Sequence, residues 1–156
     1  MPAMTRIMDT IVTLQGGDRV GARQAFAEIW KGLASDGDAL CRCVLSHYMA
    51  DAQDDPSEEL RWDLLALEAS AGLTDQNMKR FNASLTRAEF LPSLHLNVAA
   101  DYLKLGDPAR ATEHAMQANG MAAALPNTDL ARLTRGAIER VLAEAAAAPV
   151  TTPQPV

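Results

Sequence analysis

Three histidines, two cysteines and a run of acidic residues are the side chains of this sequence best suited to holding a metal, moving a proton or attacking a substrate. Their spacing decides which of these they do. His47 and Asp51 stand four residues apart, which puts both on one face of a helix, where an imidazole can pair with a carboxylate. His95 and His114 are placed to approach each other across a helical hairpin. No Glu lies three residues before any histidine, as carboxylate di-metal bundles require, and no histidine-rich zinc motif is present. Catalysis by an imidazole needs convergent partners, and none come into register, so the histidines read as surface or half-buried packing groups. Ser46 beside His47 is not a nucleophile and base, because adjacent helical side chains diverge.

The remaining motifs reduce to structure by the same test. Cys41 and Cys43 lie two apart in a helical segment and point to different faces, so a disulfide between them is excluded; with no further ligands at zinc spacing they read as reduced packing residues. Gly16-Gly17-Asp18-Arg19-Val20-Gly21-Ala22-Arg23 has the glycine spacing of a phosphate loop, but Ala22 and Arg23 stand where Lys and Ser or Thr are needed. Asp51, Asp54, Asp55, Glu58 and Glu59 lack the alternating ligands and central glycine of a calcium loop and read as helix caps and a solvated face. The sequence thus assigns no catalytic residue, no metal and no cofactor.

The elements that position these residues follow from composition. The 156 residues suit one domain with a real core, and 48% hydrophobic but 4% aromatic content, rich in Ala and Leu, favours helix over strand. A formal net charge of −6 repels phosphate backbones and anionic lipid, so neither nucleic acid nor a membrane is expected as partner. Asp9 interrupts any signal-peptide core and no run reaches spanning length, which predicts a cytoplasmic protein.

Caps and apolar periods predict the helices. Met4, Ile7, Ile11 and Leu14 mark the first; after Gly16-Gly17, Asp18 caps a second with Ala22, Phe26, Ile29, Trp30 and Leu33. Asp36-Gly37-Asp38 turns into a third striped by Leu40, Val44, Tyr48 and Ala52. Asp55 and Pro56 then start a fourth carrying Leu60, Leu64, Leu67 and Ala71. Residues 72–89 read as a connector with a short helix. Phe90-Leu91-Pro92 opens a segment marked by Leu91, Leu94, Val98, Tyr102 and Leu105. Asp107-Pro108 opens its partner, with Ala111, Ala115, Ala118 and Ala122 as small contact residues. Asn127 or Thr128 caps a last helix with the stripe Leu130, Leu133, Ala137, Ile138, Val141 and Leu142. Residues 1–147 form one helical domain, and 148–156, with little to bury, a disordered tail.

Leu40 to Tyr48 aligns with Leu94 to Tyr102 in its Leu, Val and Tyr, and both stretches lead to an Asp-Pro helix start. With His95, Val98, Ala99, Tyr102, Gly106, Ala111 and Ala118, this pattern resembles the tetratricopeptide-repeat family. Val44 and Tyr48 keep part of it in the middle unit, and Gly17, Ala22 and Phe26 in the first. Ala99 and Leu45 replace the small Gly, Ala115 the aromatic, and about twenty extra residues precede the third unit, breaking the 34-residue period. More loosely the chain resembles bacterial repeat proteins. The resemblance implies an all-α fold of antiparallel hairpins stacked as a short superhelix, with a C-terminal capping helix and a concave face made by the first helix of each hairpin.

On that face the alignment places Arg42, Ser46, Met49, Leu96, Asn97, Ala100, Leu103 and Lys104, a mixed apolar groove whose polar members suit a peptide backbone or carboxylate. The expected function is a non-catalytic protein-interaction module, an adaptor or assembly helper, holding a peptide or partner helix; self-association is compatible with it. The alternative is a helical ligand-binding or enzymatic bundle using His47, His95 or His114. The capping role generates a first prediction: deletion from Asn127 onward causes aggregation or a large loss of stability in thermal melts, whereas deletion from Pro149 changes little. Equal tolerance of the two deletions would refute the capping role.

Overall fold

Residues 1–34 and 37–149 are described by a computed structural model, and all their regular structure is helical. Helix α1 (Ala3–Gln15) pairs with α2 (Arg19–Lys31), α3 (Ala39–Asp51) with α4 (Pro56–Ala69), and α6 (Arg87–Lys104) with α7 (Pro108–Ala123). A short α5 (Asp75–Met78) lies in the connector, and α8 (Asp129–Ala147) packs on α6 and α7. The chain is thus all-α, built from three helical hairpins and a terminal helix. Asp36 of the expected turn and residues 150–156 of the expected tail lie outside the described residues.

The helices start where their caps dictate. Asp18, Asp38, Asp55, Asp107 and Thr128 each accept a backbone N–H of the turn that follows, and Pro56 and Pro108 occupy first-turn positions where no donor is lost. Gly17 takes a positive φ of 98° in the first hairpin turn. Gly21 leaves room for the Asp18 cap, since a Cβ there would stand 2.2 Å from the carboxylate. One boundary differs from the sequence expectation: α6 begins at Arg87, not at Phe90. Thr86 and Glu89 form a reciprocal capping box that starts the helix a turn earlier, leaving Pro92 inside it at the loss of one backbone bond.

The main core joins Ile7, Phe26, Leu40, Val44, Leu45 and Leu94. The connector contributes to it through Leu73 and Met78, with Phe81 and Leu85 packed alongside. Arg80 ties this segment to the start of α3 through Asp38 at 2.5 Å.

Two expected stripes are rotated. In α4 the buried residues are Trp62, Asp63 and Ala66, while Leu64 is exposed. In α8 they are Ala131, Ile138 and Ala145, seven apart, while Leu130 and Leu133 face solvent. The reason in α8 is the surface it meets. Ala111, Ala115, Ala118 and Ala122 of α7 are all fully buried, as expected, and the last two pack with Ile138 of α8 in a contact of small side chains that leaves no room for a row of leucines. Tyr48 and Tyr102 are both half-buried on helices, but in unlike surroundings: Tyr48 packs edge-on against Phe81 of the connector, whereas Tyr102 stacks on His114 of its own hairpin.

Close approach at Ala118 has a measurable consequence. Ala118→Leu is expected to cost about 1–3 kcal/mol in urea unfolding by overpacking the α7–α8 contact, whereas Gln117→Leu, one residue away and exposed, stays within about 0.5 kcal/mol of wild type.

Candidate functional site

The polar centre of the molecule lies where α4 meets α6. Glu59 and Asp63 stand four apart on α4 and so share a face, and Asp101 approaches from α6. One carboxylate oxygen from each of the three lies within 4.8 Å of the other two. Asp63 is 3% exposed and Asp101 1%, and Asp63 Oδ1 and Asp101 Oδ2 have no hydrogen-bond partner among the described residues. Lys104, in the last turn of α6, donates to both oxygens of Glu59 at 2.7 and 2.9 Å. Asn97, one turn before Asp101, has its amide nitrogen 3.3 Å from Nδ1 of His47 on α3.

Burial sets the protonation of this seam. It pushes the Asp101 carboxyl up to about 10, helped by its hydrogen bond to Asp63 and by the neighbouring charges of Asp63 and Glu59. Burial likewise pushes Asp63 up to about 7; hydrogen bonds from Asp101 and Asn97 hold it down, while the charges of Asp51 and Glu59 raise it further. Asp101 therefore keeps its proton near neutral pH. Burial lowers His47 to about 4, leaving its imidazole neutral. One ammonium, Lys104, faces three acids.

Beside the seam lie two open cavities. A polar one of about 390 Å³ is bordered by Arg19, Asp51, Asp54, Glu59 and Lys104. Arg19 donates there to the backbone carbonyls of Asp51 and Gln53, Arg23 to that of Ala52, and both guanidinium groups pair with Asp54. The residues of the glycine-rich loop and the acidic run thus hold the α3–α4 turn. Asp55 caps α4 and Glu58 pairs with Arg61.

The second cavity, about 550 Å³, is a groove between α6 and α8 lined by Leu96, Asn97, Ala100, Leu103 and Lys104 on one side and Ala137, Arg140, Val141 and Glu144 on the other. Five of the eight residues expected from the sequence to meet a partner are brought together here. The other three are not. Ser46 and Met49 are buried at 0% and 5% exposure, and Arg42 stacks over Trp30 at 4.3 Å while donating to the Ala34 carbonyl. Helix α3 packs against α1, α2 and α4, so it has no free concave face. The α8 half of the groove is not among the expected site residues: Ala137 and Val141 belong to the stripe expected to be packed over the third hairpin, and with Leu130 and Leu133 turned to solvent they line the groove instead.

His47 turns to Asn97 rather than pairing with Asp51, because α6 lies on that side of α3. His95 and His114 do meet across the α6–α7 hairpin, their Nδ1 atoms 3.2 Å apart, and burial lowers both pKa values. Cys41 and Cys43 are free and buried, their thiols pushed by burial up to about 11 and about 12. Neither supplies a thiolate near neutral pH.

No protein-family model, curated protein or solved structure gives a significant match to this chain.

The seam predicts a pH dependence of stability. Folded Asp101 holds a proton that the unfolded chain, with an ordinary value of 3.8, has released, so stability falls as pH rises toward about 10. In urea titrations with chelator present, stability is expected to fall above pH 7, by about 1.4 kcal/mol per pH unit from Asp101, with a share from Asp63 that fades above its own half-titration at about 7 and a share from the cysteines that grows toward pH 9. Asp101→Asn should flatten that slope and exceed wild type at about pH 9. Below 6.5 the sign reverses for His47, whose contribution is lost as pH falls toward about 4. An unchanged slope in Asp101→Asn would contradict the assignment.

Proposed function

We propose that the chain is a non-catalytic interaction module whose α6–α8 groove holds a segment of another protein. The observation that carries this reading is the lining of the groove. Leu96, Ala100 and Leu103 face Ala137 and Val141 across an open cleft of about 550 Å³, the size that takes a few side chains, with Arg140 and Glu144 as charges along the rim. An apolar floor supplies affinity and rim charges supply orientation. The occupant that fits is an amphipathic segment with apolar side chains on one face and a carboxylate to meet Arg140, bound in the manner of a helix in a groove.

The tetratricopeptide-like pattern around His95 to Ala118 supports a superhelical repeat scaffold of this kind. The net charge of −6 argues against nucleic acid and anionic lipid as the occupant. No helix of the described residues is long and apolar enough to cross a membrane, and a cytoplasmic adaptor or assembly helper is the role we assign.

Selection of a displayed random-peptide library on the full chain tests the reading. Peptides with spaced apolar residues and an acidic group should be enriched. Their affinity should drop at least about tenfold on Ala100→Trp, which fills the cleft, and severalfold on Arg140→Glu. Arg132→Glu and Arg42→Glu, both away from the groove, should leave it unchanged. Peptides that bind Ala100→Trp as well as wild type would place the binding surface elsewhere.

A further inference from the structure

We propose that Glu59, Asp63 and Asp101 form a binding site for one hard divalent cation, of the Mg2+, Mn2+ or Ca2+ class, held between α4 and α6. The donor set is the first ground. It is all oxygen and comes from an i, i+4 pair on one helix and a single residue on the facing helix, the way bundle cores build metal sites from inward-projecting acids. Oxygen donors without sulfur or imidazole select hard cations over zinc or copper. Oxygens on opposite sides of such an ion stand about 4–5 Å apart, twice a bond of about 2.0–2.6 Å. The three carboxylate oxygens, all within 4.8 Å of one another, match the longer calcium bonds directly, and a smaller ion needs the side chains to close by about half an ångström.

The second ground is independent of the clustering. Asp63 Oδ1 and Asp101 Oδ2 are buried and have no hydrogen-bond partner among the described residues, although buried polar atoms are nearly always satisfied. A solvated acidic patch would have water at these atoms. Here they are sealed at the α4–α6 contact, in carboxyl groups directed at each other and at Glu59. Charge points the same way: three acids face one ammonium, and a divalent ion would take the place of the proton that otherwise neutralises Asp101.

The surroundings suit a resident ion. Asn97 flanks Asp63 and is itself held by His47, an outer layer that fixes the orientation of a ligand. Glu59 is half-buried and borders the polar cavity, so the site is closest to solvent at Glu59. Lys104, bonded to both oxygens of Glu59, is the competitor that an arriving ion displaces.

Calorimetric titration of the chelator-treated full chain with MgCl2, CaCl2 and MnCl2 tests the site. At least one of the three should bind saturably at one ion per chain. Asp101→Asn and Asp63→Asn should each weaken binding by at least about tenfold. Asp54→Asn, an exposed acid already paired with Arg19 and Arg23, should leave it unchanged. Lys104→Met should tighten binding severalfold by removing the competing ammonium. Circular dichroism checks that the aspartate variants fold; if they do not, Lys104→Met decides, and unchanged affinity in that variant overturns the proposal. Absence of saturable binding by all three salts, or binding indifferent to Asp101→Asn, also overturns it and leaves Asp63 and Asp101 as a buried pair in which Asp101 keeps its proton.

Discussion

Two carboxyl groups buried with too little positive charge constrain this molecule more than any other contact. Asp63 and Asp101 sit in the seam between α4 and α6, where the second hairpin meets the third across a connector that contains only short helical turns. An ionised carboxylate removed from water costs several kcal/mol unless it is paired, protonated or bound to a cation. The seam is arranged around that cost. Glu59 lies in the first turn of α4 and Lys104 in the last turn of α6, the ends at which the helix dipoles favour an acid and a base respectively. Their ion pair therefore joins the start of one helix to the end of the other, and an antiparallel crossing of α4 and α6 follows from it.

The groove inherits its position from the same seam. Helix α6 presents Leu94, Val98 and Asp101 inward, while Leu96, Ala100 and Leu103 point toward α8. Helix α8 meets α7 through Ile138, which packs with Ala118 and Ala122, while the groove opens along α6. The cleft thus lies where Leu96 and Leu103 of α6 face Ala137 and Val141 of α8, beside the packed contact of Ile138 with Ala118 and Ala122.

Much of this was legible in the residues. Asp-Pro starts, aspartate and threonine caps and the alanine stripe of α7 each act through local geometry, and local geometry can be read from spacing. The α6 side of the groove was legible for the same reason. The polar seam was not, because a charged residue between apolar neighbours is by default assigned to solvent. A signal was nonetheless present: Leu94, Val98 and Asp101 fall at i, i+4 and i+7, so the period that made Leu94 and Val98 core residues had already placed Asp101 beside them. Reading Tyr102 as the next member of that stripe hid it. Ser46 and Met49 failed for a different reason. Whether a face of α3 is free depends on how many helices surround it, a property of the assembled chain that no single period contains.

The guanidinium clamp on the α3–α4 turn bears on how such a chain is made. Arg19 and Arg23 reach the carbonyls that end α3 across roughly thirty residues of sequence. A ribosome delivers the first hairpin before that turn exists. The two arginines are thus already mounted on a helix when the second hairpin emerges, and the nascent turn closes onto donors that are waiting for it. Asp63 has no such advantage, since Asp101 is synthesised a full helix and a connector later. Vectorial synthesis therefore sets the front of the scaffold first and leaves its most costly polar contact to close last.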